Sequence, residues 1–315
     1  MYSKSGKVKG VTLSKPLLFT LIGAILVLLP FIIPPYWVVL LFFYFVRLTL
    51  AQSWNIAGGY CNLISLGQGA FAGIGAYTTF LLYFSGVPVE GSLVAGGVIA
   101  ACFAALLSKP LFRLRGVYFT IGTLALGEIL KLVVIRVPYL GGSWGLHITT
   151  LPPYYSSQYL YYLSLIFTGV ALVVIWKITK SSIGWALKCI RNDEDASELV
   201  GINTYKYKVY AFMLQAFFTA LMGGLLALYT LHIEPYTIFS LSLSIEALTI
   251  TYIGGRGTFL GPFIGAAIMV MLSHYLATYY TLHLVIVGAI LLAIILFYPE
   301  GVVGGLYKRF RFKSL

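Results

Sequence analysis

YKVYAFMLQAFFTALMGGLLALYTL, residues 207–231, decides the class of fold. A helix that crosses a bilayer needs about 20 predominantly apolar residues, and this stretch carries a single charge, Lys208, near its start. Other apolar stretches read the same way, at roughly 17–33, 36–57, 63–84, 91–108, 116–136, 158–177, 239–254, 259–279 and 282–298. Pro34-Pro35, Gly58-Gly59, Gly86 with Pro88, Pro152-Pro153 and Gly254-Gly255 mark breaks between them. The whole chain agrees with its parts. Of 315 residues 60% are hydrophobic and 10% charged, where a soluble domain carries roughly 25% charge. Mean hydropathy is +0.93. A soluble globular enzyme, a disordered chain and a single-pass anchor are excluded, and little remains for an extramembrane domain. The expected fold class is all-α: a polytopic protein of the lipid bilayer with about ten transmembrane helices.

The net charge of +12 would point to nucleic acid in a soluble protein. In a membrane protein, basic residues mark the cytoplasmic loops instead, so no nucleic-acid partner is expected. With the N-terminus inside, the inner segments are 1–16, 109–115, 178–206, 255–258 and 299–315. These hold or closely flank every one of the 21 basic residues except Arg47, Lys131 and Arg136. The expected layout is a basic cytoplasmic N-terminus (1–16), one transmembrane domain (17–298) with a long inner loop (178–206), and a basic cytoplasmic tail (299–315). The run Leu17–Ile33 is too long for a signal-peptide core and lacks a small-residue cleavage site, so it reads as a first spanning helix that stays. The expected location is the cell membrane, multi-pass, with both termini cytoplasmic. Cys61, Cys102 and Cys189 are scattered and odd in number, which argues against a disulfide framework.

One pattern, G-x-G-x-F-x-G, occurs twice: at Gly67, Gly69 and Gly73, and at Gly255, Gly257 and Gly261. Both copies open an apolar stretch. Transporters are commonly built from two related halves, with Gly-interrupted segments at equivalent places, so an internal repeat is expected. The competing explanation is small-residue packing between helices.

No residues assemble into a catalytic or metal-binding pattern. His147, His232, His274 and His283 have no ligand spacing, and no P-loop is present to hold ATP. Two carboxylates, Glu128 and Glu246, fall inside expected spans, where a charge is costly and functional by default. Lys131 can neutralise Glu128 at i,i+3. Glu246 has no basic residue within a turn and lies among Ser240, Ser242, Ser244 and Thr249, a stripe that suits a wet translocation path. Arg47 can partner either carboxylate.

The long inner loop reads as two short amphipathic helices beneath the bilayer. Ser181 or Ser182 caps the first, which carries Ile183, Leu187 and Ile190 on one face. Asn192 caps the second, with Asp195 in the acidic capping position and Ala196, Leu199 and Val200 as its apolar side. Arg191 and Asp195 can pair. Gly201 suits a C-terminal turn at positive φ, and Asn203 or Thr204 caps the next span. A plain connector has no need of such features, so the loop is expected to be a docking surface.

These residues resemble the permease subunit of branched-chain amino-acid ABC transporters, LivM type. The resemblance runs from about residue 45 to 300. It rests on Ser182-Ile183-Gly184-Trp185-Ala186-Leu187, Ile190-Arg191-Asn192-Asp193-Glu194 and Gly201-Ile202-Asn203, and on Asp195-Ala196-Ser197-x-x-x-Gly201. The last is similar to the E-A-A-x-x-x-G loop with which importer permeases dock on their ATPases, with Asp for Glu and Ser for the second Ala. Ser65-Leu66-Gly67-x-Gly69-Ala70-Phe71, Gly116-Val117-Tyr118-Phe119, Thr123-Leu124-Ala125 with Glu128, and Gly254-Gly255-x-Gly257-Thr258 are also similar. The resemblance implies an ABC importer permease architecture and uptake of leucine, isoleucine and valine. It implies a LivH-like second permease, two cytoplasmic ATPase subunits and an extracytoplasmic substrate-binding protein. ATP and Mg would bind the ATPases, this chain holding no cofactor and doing no chemistry. The alternatives are a urea or other small-solute permease of the same family, or a stand-alone ion-coupled secondary transporter.

Overall fold

The computed structural model describes residues 15–149 and 154–275, and beyond them only positions 286, 288, 289 and 292. In chain order the helices are α1 (Lys15–Ile32), α2 (Pro35–Trp54), α3 (Gln68–Phe84), α4 (Val89–Leu111), α5 (Val117–Arg136), α6 (Ser157–Lys180), α7 (Ser182–Asn192), α8 (Glu194–Leu199), α9 (Thr204–Thr230), α10 (Pro235–Ile238), α11 (Leu241–Gly254) and α12 (Gly261–Tyr275). Among the described residues, six stretches are long and apolar enough to cross a membrane: Pro35–Gly59, Val89–Leu111, Val117–Arg136, Ser157–Lys180, Thr204–Thr230 and Pro235–Gly254. The chain is thus an all-α polytopic protein, with six such stretches where the sequence led to an expectation of about ten. Most of the tenth apolar stretch, 282–298, and all of the tail 299–315 lie outside the described residues, as does most of 1–16.

Local chemistry sets several helix starts. Pro35 opens α2, where its missing N–H costs nothing. The Ser156 hydroxyl accepts the Tyr159 N–H at 3.2 Å to cap α6, and the Asn203 side chain accepts the Lys206 N–H at 3.0 Å to cap α9. Such caps stabilise a helix by about 1 kcal/mol each.

The bundle is built around α9, which packs against α3, α4 and α2, while α2 also packs against α6, α11 and α12. At the α3–α9 crossing the backbones touch. A β-carbon at Gly75 would stand 2.0 Å from the Ala220 carbonyl oxygen, and one at Gly223 would stand 2.3 Å from that of Ala72. In lipid, where apolar side chains gain nothing by leaving solvent for one another, such close approach of small residues is what holds helices together.

The two ends of the bundle differ. At one end β1 (Leu146–His147) pairs antiparallel with β2 (His232–Ile233), Leu146 opposite Ile233 and His147 opposite His232. Among the described residues this two-residue ladder is the β structure that the all-α expectation omitted. At the other end the segments expected on the inner side converge: Arg115 of the α4–α5 connection lies 3.3 Å from Asp195 of α8, and Arg191 of α7 packs on Gly257 of the α11–α12 turn.

Candidate functional site

Near this basic end α2 breaks. Its regular turns stop at Trp54, a single π-helical turn follows at Asn55–Gly59, and residues 60–67 run without helix up to α3. The expected third span, 63–84, therefore begins as helix only at Gln68. Irregular backbone at membrane depth is stable only when buried and hydrogen-bonded, and here neighbours supply the partners. Thr120 Oγ1 donates to the Ile64 carbonyl at 2.8 Å, Trp54 Nε1 to that of Ser65 at 2.8 Å, and Ser244 Oγ to that of Leu66 at 2.7 Å. Thr123 Oγ1 accepts the Leu66 N–H at 3.0 Å, and Ser244 Oγ accepts the Gln68 N–H at 3.1 Å.

The broken end of α2 is clamped to the turn between α11 and α12. Asn55, fully buried, accepts the Gly257 N–H and donates to the Thr258 carbonyl, both at 2.8 Å. Gln52 donates to the Phe259 carbonyl at 2.8 Å, Arg256 Nε donates to the Gly58 carbonyl at 3.0 Å, and Arg256 Nη2 donates to Asn62 Oδ1. The two G-x-G-x-F-x-G copies thus meet the same region with different backbones. In the first, Gly69 and Gly73 lie in the opening turns of α3 and Gly67 has φ −91. In the second, Gly255 (φ +125) and Gly257 (φ +73) form an irregular turn, and α12 begins only at Gly261. Shared glycine spacing does not give shared local structure, and the expected internal repeat finds no support in these two segments.

The inner loop forms α7 and α8. Leu187 and Ile190 are buried, with Ile183 partly buried beside them, against the lower ends of α6 and α9. Gly201 sits at φ +86. Four details differ from the sequence reading. Ser181 occupies the first N-cap position, but its hydroxyl donates back to the Ile178 carbonyl at 2.8 Å. Asp193, not Asn192, caps α8, accepting the Ala196 N–H at 2.9 Å. Asp195 pairs with Arg115 rather than with Arg191, because the break at Asp193 turns α8 away from α7. Ser197 is the buried residue of α8, while Ala196 is exposed and Leu199 and Val200 are 90% and 75% exposed. The apolar side of this helix faces outward.

Arg191 is half-buried, and among the described residues no carboxylate pairs with it. Burial, and then the like charge of Arg256, lowers its pKa from the ordinary arginine value. It remains a cation. Lys208 at the start of α9 forms an ion pair with Glu194 of α8. A cavity of about 200 Å³ separates α7 and α8 from Asn62 and Arg115.

The two membrane-level carboxylates have different settings. Glu128 pairs with Lys131 one turn on, at 2.5 Å, on the outward face of α5. Glu246 pairs with Arg47 of α2, also at 2.5 Å, and lines a cavity of about 470 Å³ between the end of α9, α10 and the first half of α11. The Arg47–Glu246 pairing was one of two that the sequence left open.

Sequence reasoning passed over Gln52, Asn55 and Thr120 and met Ser65 and Thr123 only within the motifs of the resemblance, though all five hold the broken segments. A signal was available: Gln52-Ser53-Trp54-Asn55 is a polar cluster inside an otherwise apolar span, and polar side chains at that depth need partners.

The chain was compared with known proteins. Residues 36–295 match the family model for the permease component of branched-chain amino acid transport systems. The chain is 25% identical to the high-affinity branched-chain amino acid transport system permease protein LivM of Salmonella typhimurium, over 85% of its own length and 70% of that protein's. It is 26% identical to LivM of Escherichia coli K12, over 81% and 67%. It is also 26% identical to the high-affinity branched-chain amino acid transport system permease protein LivH of Salmonella typhimurium, over 81% and 90%. No solved structure matches it. With the match spanning most of its length, the chain belongs to the family of permease components of branched-chain amino acid transport systems, and within it to the LivM type.

Proposed function

We propose that this chain is one of two permease subunits of an ATP-driven importer that carries leucine, isoleucine and valine into the cell. The second permease is LivH-like, two ATPase subunits bind at the α7–α8 end, and an extracytoplasmic binding protein delivers substrate at the end bearing β1 and β2. Both termini face the cytoplasm, the side to which the basic residues point. ATP and Mg bind the ATPases.

The observation that carries this reading is the α7–α8 pair. One side of it is rooted in the bundle through Leu187 and Ile190, while Leu199, Val200 and Trp185 are exposed, Trp185 with Lys188 Nζ 5.1 Å from its ring centre. An exposed apolar cluster rimmed by charge is the mark of a protein contact. Arg191 ties the pair to the α11–α12 turn and, through Asn55, to the broken end of α2. A movement imposed on α7 is therefore delivered to the two places where the spans are already interrupted, which is the kind of bistable element that switching requires.

The test is uptake of radiolabelled leucine into cells that depend on this permease, with and without the ATPase subunits. ATPase-dependent leucine uptake supports the reading. Uptake that persists without the ATPases and follows an ion gradient would contradict it. ATPase-dependent uptake of urea but not leucine would contradict the substrate.

A further inference from the structure

We propose that the outward face of α5 is the surface on which the LivH-like second permease packs, with the Glu128–Lys131 pair enclosed between the two subunits. This rests on the two-permease reading above and adds to it the place of contact.

Among the described residues α5 is the least buried of the six spans. It packs on α3, α4 and α10 through one narrow stripe, Phe119, Thr123, Gly127 and Val134. On the opposite side Ile121, Ala125, Glu128 and Leu132 follow one another at four, three and four residues, so they share a single face. Ile121 and Leu132 are exposed there, with Ile129 and Val133 beside them, and Ala125 is partly exposed.

Glu128 decides what lies against this face. It is the twelfth of the 20 residues of α5, so about 12 Å or more of helix separates it from either end. Its side chain is 48% exposed. Lys131, 2.5 Å away, is only 18% exposed and leans toward α10, with its Nζ 5.9 Å from the centre of the Tyr236 ring. The cation is thus tucked in and the carboxylate faces out. A glutamate is too short to reach the headgroups from that depth, as a lysine or arginine stem can. A half-exposed carboxylate against hydrocarbon is costly, and charges at that level face protein or a water-filled cavity instead.

The outward faces of other lightly covered spans lack such a group. Val94, Val98 and Ile99 are exposed at the middle of α4, and Ile166, Val170 and Val173 at the middle of α6. These faces suit lipid, and the face of α5 does not. It needs a protein over it. The second permease is the protein that fits. LivH is related to this chain along most of its length, so a LivH-like subunit carries an equivalent of α5. Like subunits meet most often about a two-fold axis, through the same patch on each. The apolar side chains around Glu128 then bury one another, and the carboxylate leaves the lipid.

The experiment is photocrosslinking in membranes that contain the full-length complex, with p-benzoylphenylalanine placed in this chain at Ile121 or Leu132 on α5, and at Val98 or Val170 as lipid-facing controls. Adducts with the second permease, identified by mass spectrometry, are expected from both α5 positions and from neither control. Ala125→Trp, a bulky residue at the small position of the stripe, should still insert and should lower the co-purifying second permease by about tenfold or more. Adducts from α5 to lipid alone or to a second copy of this chain would overturn the proposal. So would adducts with the second permease from α4 or α6 in place of α5, or a wild-type ratio of the two permeases in Ala125→Trp. Co-purification of the wild-type chains separates the two readings. A second permease that co-purifies but gives no α5 adduct refutes the surface alone, whereas a wild-type preparation without one refutes the two-permease reading and the surface with it.

Discussion

The Arg191 guanidinium occupies the space that a β-carbon on Gly257 would need, since such an atom would stand 2.0 Å from Arg191 Nη1. α7 and the α11–α12 turn are thereby in direct contact, and Gly257 is held in place by the buried Asn55. Gly257→Ala adds a clash to the strain of φ +73, a cost of about 1–2 kcal/mol for a non-glycine residue. The expected outcome is a strong loss of uptake with ATPase association intact, measured by leucine uptake and co-purification on the same membranes.

Asn55 is the keystone of the clamp. Asn55→Ala removes two hydrogen bonds and leaves the Gly257 N–H and Thr258 carbonyl without partners, at about 1–3 kcal/mol for each buried group. Asn55→Asp keeps the acceptor for Gly257 but sets a second oxygen, charged when ionised, against the Thr258 carbonyl in a buried site. The midpoint of thermal unfolding in detergent should fall for both.

Asp193 is the cap that the sequence reading placed one residue early. Asp193→Ala should destabilise α8 by about 1 kcal/mol, and Asp193→Ser should restore most of it. Hydrogen exchange across residues 194–199 is the direct readout, with faster exchange in the alanine variant only.

The cysteines offer a chemical footprint. Burial pushes the Cys61 thiol up to about 12, with a smaller lowering by Lys208 and a raising by Glu194. The reactive thiolate is then scarce at neutral pH and increases only as pH approaches that value. Cys61 should resist maleimide at pH 7. Cys189, exposed on α7, should react, and bound ATPase subunits should slow that reaction. Labelling is followed by mass spectrometry.

Much of the fold was legible because it depends on quantity. Long apolar runs, and basic residues sorted to alternate connections, follow from the bilayer's thickness and the positive-inside bias. The α7–α8 pair was legible from the spacing of Ile183, Leu187 and Ile190 and a glycine at the turn, and the Gly201 φ of +86 matches that reading. The breaks were legible in place, at Gly58-Gly59 and Gly254-Gly255, but not in extent. Residues 60–67 stay unwound, with Asn62 at φ +61, and what holds them is long-range: the hydroxyls of Thr120, Thr123 and Ser244 and the Trp54 indole. The repeated glycine pattern did not bring shared local structure for the same reason, since spacing alone does not determine φ. Arg47 and Glu246 were each visible as costly charges, but only tertiary structure brings α2 and α11 together.

The central claim is that α8 presents its apolar side to an ATPase. The most direct measurement is co-purification of the ATPase subunits with Leu199→Asp/Val200→Asp. These residues are 90% and 75% exposed, so the substitutions leave the bundle's packing untouched. The account predicts a protein that inserts normally and loses its ATPases. A variant that inserts, retains its ATPases at the wild-type ratio and transports normally would contradict it.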